Sequence, residues 1–571
     1  MRGVWKLPAP QLSSEPLIRR ILASRGIDEP DFLSPSLLQL HDPVLLPGIN
    51  AAAERILLGL QRNQRIVIYA DYDVDGVSAA AILWYIFRAI APGAAVSTYL
   101  PHRLEEGYGL NGEAIAHLCD GNDLIVSVDC GVTAVTPARV ARERGIDLII
   151  TDHHTPPLEP AGLPKAHSIV HPSVPGQPPY PFPHLCGAGV AFKLAWRLAT
   201  LVSGGERASP EFRKLLVELL ALAAMGVIAD VVPLRGENRV IAKFGLDQIR
   251  RSSLVGVRAL RDESKLGGDD VDASDVGFRL GPRLNAIGRL GHAREALELL
   301  TTDDEARAME IARSLTRWND ERRKTEAEIT QRAESLAIER GMTAPEHRAI
   351  VLSDPDWHRG VVGICCSRLV GKFYRPTLLL QRDGDLCHGS GRSIDGFDLH
   401  AALAHCADLL ESFGGHTMAA GLKIRTERVD EFTRRFVAFA NERLKSDDLV
   451  RTLRADAECR LRELDLTSAE ELHAMSPFGR DNEKPCVLVR GATLLSPPRM
   501  LGQTGKHLVF DLRQDNAVMR VKAWNWAEAI APLSLRPGVE LELLLAPEIN
   551  AWNGRRSVEC TLEDLRLTGI H

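Results

Sequence analysis

With 571 residues, the chain is too long for one hydrophobic core, and we expect two to four domains. A hydrophobic fraction of 45% and a charged fraction of 25% are typical of globular proteins and exclude a disordered chain. The net charge of -6 excludes a global basic field, so binding of nucleic acid would need local basic patches. No apolar run reaches the ~20 residues that span a bilayer, which predicts a cytoplasmic protein without membrane contact.

Between residues 50 and 175, short apolar runs alternate with helical stretches. The runs are RIVIYA, AVSTYL, DLIVSVD, DLIIT and SIVH. This alternation predicts an α/β domain with a mainly parallel sheet. Ligands of such sheets bind beyond the carboxyl ends of the strands, so the polar residues that follow each run are candidate site residues.

Three aspartates follow the first run at alternate positions, Asp71, Asp73 and Asp75. Such crowded carboxylates repel one another unless a cation lies between them, which favours a metal site. An EF-hand loop is disfavoured, because Ile82 occupies the twelfth position, where calcium needs Glu, and because a strand precedes the motif. On this segment alone, an Asp-rich turn after a strand remains open.

Other polar residues follow later apolar elements. Asp129 ends LIVSVD, and Asp152, His153 and His154 follow DLIIT. Asp230 stands at the end of the apolar helix that precedes Pro233. One such residue is usually structural or solvated, but their common placement at element ends predicts that they converge.

A basic segment, GFRLGPRLNAIGRLGHAR, spans residues 277–294 and contains no acidic residue. Glycine among arginines lets the backbone approach an anion while guanidinium groups bind it, so we predict Arg283, Asn285 and Arg289 as nucleic-acid contacts. A solvated basic loop is the alternative. Residues 303–340 contain neither Gly nor Pro and predict one long, solvated helix that connects two domains.

A second α/β domain is predicted after this helix, followed by alternating strands typical of a small β-barrel. In this second α/β domain, the segments CHGSGRSIDGFDL and SFGGHTMAAGL combine the residue types of a phosphate cradle. The candidate phosphate-binding residues are His358, Ser390, Arg392, Gly414, Gly415 and His416.

In order, DYDVDG, SVDCG, DHH and GVIADVVPL resemble the motifs of the DHH phosphoesterase superfamily, and GGHTMAAG resembles the signature of its associated DHHA1 domain. GPRLNAIGRL, the long helix and the C-terminal barrel are similar to those of the RecJ family of bacterial single-strand-specific 5′-to-3′ exonucleases. PFGRDN departs from that family's PFGxGN, because Asp481 replaces a glycine.

The resemblance implies roles for the acidic and imidazole residues. Asp73, Asp75, His153 and Asp230 would bind metal, and Asp129 would bridge two ions. His154 would contact substrate phosphate, and Asp152 would orient an imidazole. Asp71 would be a ligand or an outer carboxylate, since Tyr69 stands where related pyrophosphatases carry a ligand histidine. Oxygen ligands with imidazole suit Mn²⁺ or Mg²⁺ rather than structural zinc.

The implied activity is hydrolysis of single-stranded DNA from the 5′ end to 5′-mononucleotides, in recombination and repair. The implied partners are single-strand-binding protein and a RecQ-type helicase, for a protein expected to be monomeric. The alternatives are a DHH-type pyrophosphatase or oligonucleotide phosphodiesterase, and a non-catalytic DHH scaffold. The expected parts are an N-terminal segment (1–50), a DHH domain (51–302), a connecting helix (303–341), a DHHA1 domain (342–450) and an OB-type barrel (451–571).

Overall fold

The computed structural model describes residues 3–8, 15–103, 105–267, 271–533, 535–552 and 554–568, with the side chain of residue 552 left out. The chain forms two compact units. One unit contains residues 35–324 together with 477–483. The other contains residues 1–34, 325–476 and 484–571.

The first elements along the chain are β1 (Val4–Lys6), α1 (Leu17–Ser24) and α2 (Ile49–Gln61). A five-stranded sheet follows, built from β2 (Ile66–Ala70), β3 (Val96–Tyr99), β4 (Leu124–Val128), β5 (Asp147–Thr151) and β6 (Ser168–Val170). Its connecting helices are α3 (Val74–Ile90), α4 (Gly112–Cys119) and α5 (Val135–Glu143). All its strand pairs are parallel, which confirms the predicted α/β fold.

The strand order of this sheet is β3-β2-β4-β5-β6. The chain moves outward from β2 to β3 and then returns to the other side of β2 with β4. Strands β2 and β4 therefore flank a topological switch point, where the loops that leave the two strands diverge and open a crevice. This crevice lies beyond the carboxyl ends of the strands that precede Asp71 and Asp129.

Helices complete this unit and pack their apolar residues in a common core with the sheet. They are α6 (Gly187–Val202), α7 (Pro210–Ala229), α8 (Gly236–Arg251), α9 (Val255–Glu263), α10 (Ala273–Asp275), α11 (Gly281–Leu290) and α12 (Arg294–Thr301). A π-helical turn, Val276–Leu280, joins α10 to α11. No single helix in the described residues is long and apolar enough to cross a membrane; one bent pair, Leu37–Leu45 with Ile49–Gln61, meets that test on length and composition.

The predicted long helix is α13 (Glu305–Glu339). The expectation of a solvated helix is wrong for one side of it. Ala308, Ile311, Ala312 and Leu315 in its first turns are fully buried in the core of the first unit, and Ala333 and Ala337 in its last turns are also fully buried. Their spacing of three and four residues places them on one face of the helix.

The second unit contains a mixed five-stranded sheet of order β10-β11-β9-β8-β7. Its strands are β7 (Ile350–Asp354), β8 (Thr377–Asp383), β9 (Leu386–Arg392), β10 (Leu410–Gly415) and β11 (Ala419–Arg425). The accompanying helices are α14 (Val362–Phe373), α15 (Leu399–His405) and α16 (Val429–Arg443). This is the second α/β domain that the sequence predicts.

The C-terminal strands form a closed barrel, as predicted, because β14 pairs with both β18 and β16. The elements are β12 (Thr452–Arg454), β13 (Ala457–Glu458), α17 (Leu466–His473), β14 (Val487–Leu494), β15 (Arg499–Leu501), β16 (His507–Gln514), β17 (Ala517–Ala523), α18 (Ala527–Ile530), β18 (Glu540–Trp552) and β19 (Arg555–Leu567). Strand β1 pairs in parallel with β12, so residues near both ends of the chain share this unit.

Candidate metal centre

The aspartates after β2 enter the crevice because α3 begins within the motif. Asp73 caps the helix, and its Oδ1 accepts hydrogen bonds from the amides of Asp75 and Gly76 at 2.9 and 3.1 Å. Asp71 precedes this cap and is 2% exposed. The Asp71 Oδ1 atom is buried and has no hydrogen-bond partner among the described residues.

Asp75 is anchored by the N-terminus of α6. Its Oδ2 accepts from the amide of Gly187 at 2.6 Å, and its Oδ1 accepts from the amide of Ala188 at 2.9 Å. Amides in the first turn of a helix have no partner within the helix, and here they stabilise a buried anion. Gly226 on α7 leaves room for this carboxylate, since a Cβ there would lie 2.3 Å from Asp75 Oδ1.

Asp129 occupies the switch point directly after β4. Its φ of 61° lies in the left-handed region, an uncommon conformation for a residue other than glycine. Its amide donates to the carbonyl of Thr151 at 2.9 Å, and its buried Oδ1 atom has no hydrogen-bond partner in the described part of the chain. The backbone thus directs a partnerless carboxylate oxygen into the crevice.

His153 faces three carboxylates through one nitrogen. Its Nε2 lies 3.1 Å from Asp129 Oδ1, 3.6 Å from Asp230 Oδ2 and 3.8 Å from Asp75 Oδ2. Burial lowers the pKa of His153 to about 4, against the opposing effect of Asp75, so the ring is neutral near pH 7. A neutral imidazole with a free lone pair is the form that binds metal.

Asp152 organises the DHH segment rather than facing the crevice. Its Oδ1 accepts from the amides of His153 and His154 at 2.7 and 3.1 Å, and from His154 Nδ1 at 2.8 Å. Its Oδ2 accepts from the amide of Val132 at 2.8 Å. Burial opposes ionisation, but these bonds outweigh it and hold the pKa of Asp152 below its usual range. The orienting role of Asp152 stays a prediction, and its contact with His154 Nδ1 is the one that such a role requires.

His154 carries a positive charge, opposite to that of Asp152. Burial disfavours its protonated form, but the hydrogen bond to Asp152 outweighs burial and raises the pKa of His154 to about 9. The ring is therefore an imidazolium near pH 7. The hydroxyl of Tyr108 lies 2.8 Å from its Nε2 atom.

Asp230 follows the last residue of α7, and its amide donates to the carbonyl of Gly226 at 2.9 Å. Burial, together with the charges of Asp75 and Asp73, raises the pKa of Asp230 to about 8. Burial and neighbouring aspartates likewise raise the pKa values of Asp71, Asp73 and Asp129. As a group, these carboxylates are destabilised when ionised without a counterion.

A divalent cation fits this donor set. Three groups of residues place their ligand atoms close together, and within each group these atoms lie within 4.8 Å of one another. The groups are Asp71, Asp73 and Asp129; Asp75, His153 and Asp230; and Asp129, His153 and His154. The buried atoms Asp71 Oδ1, Asp129 Oδ1 and His153 Nε2 have no hydrogen-bond partner among the described residues. Hard oxygen donors with one neutral imidazole and no thiolate suit Mn²⁺ or Mg²⁺.

The basic segment borders this centre. The amide of Val74 donates to Asn285 Oδ1 at 3.1 Å, so Asn285 supports the motif loop. Arg283 is half-buried and donates to the carbonyl of Arg279 at 2.6 Å and to Thr316 Oγ1 at 3.1 Å. A Cβ on Gly288, beside Arg289, would lie 3.2 Å from the carbonyl of Tyr72. Contact of this segment with DNA stays a prediction.

The predicted phosphate cradle gathers in part around the first turn of α14. A Cβ on Gly363 in that turn would lie 3.4 Å from Ser390 Oγ and 3.5 Å from Arg392 Nη2. Gly421 of β11 pairs with both Ser390 and Gly414, which brings the hairpin of β10 and β11 into the same sheet.

The remaining residues of the predicted cradle lie before α14 or at the turn between β10 and β11. The carbonyl of His358 accepts from the amides of Val361 and Val362 at 2.9 and 3.1 Å, immediately before α14. Gly415 has a φ of 135°, and the amide of His416 donates to the carbonyl of Ala419 at 2.8 Å. Phosphate binding by these residues stays a prediction.

Two residues that contact His154 could not be identified as site residues from the sequence around them. His171 is 2% exposed and lies against the DHH segment. Its Nδ1 accepts from the amide of Ser173 at 2.9 Å, so its Nε2 carries the proton that is donated to the carbonyl of His154 at 2.8 Å. Tyr108 is the second, since only the folded chain brings it to His154.

A loop from the C-terminal region, residues 477–483, also belongs to this unit. The carbonyl of Arg480 accepts from the amide of Leu234 at 2.9 Å, and Arg235 Nε donates to the carbonyl of Asp481 at 2.8 Å. Asp481 has a φ of 59°, the left-handed conformation that suits the glycine of the related motif. The loop therefore holds the segment that follows Asp230.

Known proteins share this architecture. The DHH family N-terminal domain matches residues 65–227, the DHHA1 domain matches 346–442, and the RecJ OB domain matches 455–564. The single-stranded-DNA-specific exonuclease RecJ of Dickeya dadantii is 37% identical over 96% of this chain and 96% of its own length.

Two solved structures of a relative have a similar fold. RecJ from Thermus thermophilus in complex with Mn²⁺ has a TM-score of 0.81 and 32% identity, covering 100% of this chain and 80% of that one. Its complex with Mg²⁺ has a TM-score of 0.76 and 32% identity, covering 100% of this chain and 79% of that one. The fold and near-full-length relatives above 30% identity establish that this chain belongs to the RecJ family.

Proposed function

We propose that this chain is an exonuclease specific for single-stranded DNA, dependent on two divalent ions, Mn²⁺ or Mg²⁺. The observation that carries the proposal is the convergence of partnerless, buried ligand atoms at the switch point, among the residues that the structure describes. We further propose that hydrolysis proceeds from the 5′ end and releases 5′-mononucleotides in recombination and repair.

The proposed ligands are the ones that the crevice brings together: Asp71, Asp73, Asp75, Asp129, His153 and Asp230. Asp71 is included because its Oδ1 has no hydrogen-bond partner in the described residues and because the Asp71 carboxylate groups with Asp73 and Asp129. Two ions bound there would lower the pKa of a bound water and offset the charge that develops on the phosphodiester.

The chain's own residues supply the rest of the chemistry. The amides of Gly187 and Ala188 keep Asp75 oriented. His154 is held as a cation by Asp152, and it is placed to contact a phosphate oxygen and offset negative charge there. Buried His153 stays neutral and offers its Nε2 lone pair as a ligand.

The test is digestion of single-stranded and duplex DNA, labelled at the 5′ or the 3′ end, with Mn²⁺, Mg²⁺ or chelator. We expect rapid loss of single strands with either ion, none with chelator, and release of a 5′-labelled mononucleotide first. Resistance of single strands with both ions would refute the proposal. Hydrolysis confined to short oligonucleotides or pyrophosphate would favour a DHH-type phosphodiesterase or pyrophosphatase.

Partners and location belong to the proposal as well. By analogy with the family, we expect a monomer that works in the bacterial cytoplasm with single-strand-binding protein and a RecQ-type helicase. The five parts expected from the sequence are kept as working boundaries, which the ranges of the matched domains support. Pull-down with the purified partners and sedimentation of the full chain test these expectations.

A further inference from the structure

An exposed aromatic ring lies in the basic segment, residues 277–294, that borders the metal centre. Phe278 exposes 81% of its surface, whereas most Phe side chains of the described chain are buried or half-buried. Leaving a Phe side chain in water forgoes the free energy that its burial would contribute. The neighbouring Gly277 adds no side chain, and a Cβ there would meet no atom within 4 Å, so the space beside Phe278 is open.

The ring is held on a rigid support. Phe278 lies in the π-helical turn Val276–Leu280, a distortion that is rare in helices and frequent at functional sites. Arg279 next to it donates to Asp275 Oδ1 at 2.9 Å and to the carbonyl of Lys265 at 2.9 Å. Asp275 is itself fixed by reciprocal hydrogen bonds with Asp272. The backbone that carries Phe278 is therefore preorganised.

This support is continuous with the metal centre. A Cβ on Gly281 would lie 3.8 Å from Ala229 Cβ and 3.8 Å from Val74 Cγ2. Ala229 precedes Asp230, and Val74 separates Asp73 from Asp75. Gly281 is three residues after Phe278, so the backbone that carries the ring lies about one helical turn, on the order of 5 Å along the axis, from the contact of Gly281 with residues that flank candidate ligands.

We propose that Phe278 is a base-stacking residue that holds one nucleobase of the single strand next to the metal centre. This rests on the proposed function, which supplies the substrate class. Every base has a π-face, so one exposed ring can bind any sequence, and single-strand binders use such rings. Bases inside a duplex are stacked on both faces, so they cannot offer a face to Phe278 without unpairing.

The first experiment compares Phe278→Leu with Phe278→Trp in the full chain. Leucine keeps an apolar side chain but removes the aromatic face, whereas tryptophan keeps that face. With a 5′-phosphorylated oligonucleotide, we expect Phe278→Leu to raise KM by roughly 5- to 100-fold with little change in kcat, and Phe278→Trp to retain the wild-type KM. Leu158→Ala is the matched control, since Leu158 is 97% exposed and lies outside the π-helical turn.

The second experiment locates the base. A series of fluorescent oligonucleotides, each with one abasic position counted from the 5′ end, is bound in chelator and followed by anisotropy. We expect wild type to lose affinity at one position, and Phe278→Leu to be insensitive at that same position. Binding in chelator does not depend on hydrolysis, so failure of the stacking proposal is distinguishable from failure of the proposed nuclease activity.

Mn²⁺ affinity serves as the control for the centre itself and should be equal in wild type and Phe278→Leu. An unchanged KM, or an abasic profile that is the same in wild type and Phe278→Leu, would overturn the proposal. Such a result would assign the exposed ring to a contact other than a nucleobase, for example with a protein.

Discussion

Asp129 shows how individual residues are strained for the metal centre. It combines a left-handed backbone, nearly complete burial and a carboxylate oxygen without a hydrogen-bond partner among the described residues. Each of these features lowers stability in the absence of a cation. A bound divalent ion would give the partnerless oxygen a counterion, so the centre would link metal binding to the stability of its unit.

The same carboxylates predict how stability depends on pH. Burial and mutual repulsion raise the pKa values of Asp71, Asp73 and Asp129, and raise that of Asp230 to about 8. The folded, metal-free protein then binds more protons than the unfolded chain, so its stability falls as pH rises.

We expect the melting temperature in chelator to fall from about pH 5 to about pH 8, and the increase caused by Mn²⁺ to grow over the same interval. Calorimetry at several pH values measures both quantities. Asp230→Asn is the control and should flatten the upper part of the curve. A Mn²⁺ effect that shrinks with rising pH would contradict the assignment of these carboxylates as ligands.

Asp481 gives a second prediction for a single residue. Its left-handed φ of 59° suits glycine, so Asp481→Gly should raise the free energy of unfolding by about 0.5–1 kcal/mol. Asp481→Ala should lower it, because alanine lacks the short polar side chain that tolerates this conformation. Urea denaturation of the three proteins decides the point, and a more stable alanine variant would rule out conformational strain.

At the scale of elements, the first turn of α6 contacts two candidate ligands, Asp75 and Asp129. Its first amides bind Asp75, and the same turn lies against Asp129, where a Cβ on Gly187 would be 2.6 Å from Asp129 Oδ1. We expect Gly187→Ala to displace Asp129, weaken Mn²⁺ binding by at least roughly tenfold and leave the sheet folded.

Gly189→Ala is the matched control on the same helix. Its new Cβ would lie 3.3 Å from Leu185 Cδ2, the end of a side chain that can move, and at ordinary contact distances of 3.5 and 3.9 Å from Leu185 Cβ and Cys186 Sγ. Isothermal titration with Mn²⁺ and circular dichroism compare the two variants. Equal Mn²⁺ affinity in Gly187→Ala and wild type would show that this turn does not shape the centre.

Local patterns predict the strands and the residues at their ends, because buried parallel strands are apolar throughout and their loops carry the polar residues. Asp71 and Asp129 could therefore be placed on one edge of the sheet from the sequence. The amides that bind Asp75 and the contact between Asn285 and Val74 could not be predicted. These contacts join segments that are far apart in the sequence. Their donors are backbone amides, which nearly every residue type has, so the sequence does not mark them.

At the scale of the whole molecule, residues before Pro35 are part of the unit that contains the barrel. Trp5 Nε1 donates to Asp564 Oδ2 at 2.8 Å, and Arg25 donates to both carboxylate oxygens of Asp456 at 2.8 and 2.7 Å. Sequence patterns do not predict these contacts, because each contact joins residues that lie more than 400 positions apart in the sequence. Residues near the two ends of the chain stabilise each other.

Arg25→Met tests this arrangement. The side chains of Arg25 and Asp456 are 8% and 5% exposed, so removing the cation leaves a buried carboxylate that keeps the amide of Cys486, at 2.9 Å, as a donor. We expect the barrel unit to lose about 3–5 kcal/mol of stability, and the double variant Arg25→Met with Asp456→Leu to recover much of it. Urea denaturation followed by tryptophan fluorescence measures both, and an equal loss in the two variants would mean that the pair is not coupled.

We propose that Asp129, which belongs to two of the three candidate ligand groups, would hold both divalent ions of the centre. The most direct test of this role is titration of the metal-free full chain with Mn²⁺, followed by electron paramagnetic resonance. We predict two Mn²⁺ per chain with the spin-coupled signal of neighbouring ions, and loss of that coupling in Asp129→Asn, since one carboxylate serves both positions. Binding of a single uncoupled ion in wild type, or a coupled pair that persists in Asp129→Asn, would contradict the account.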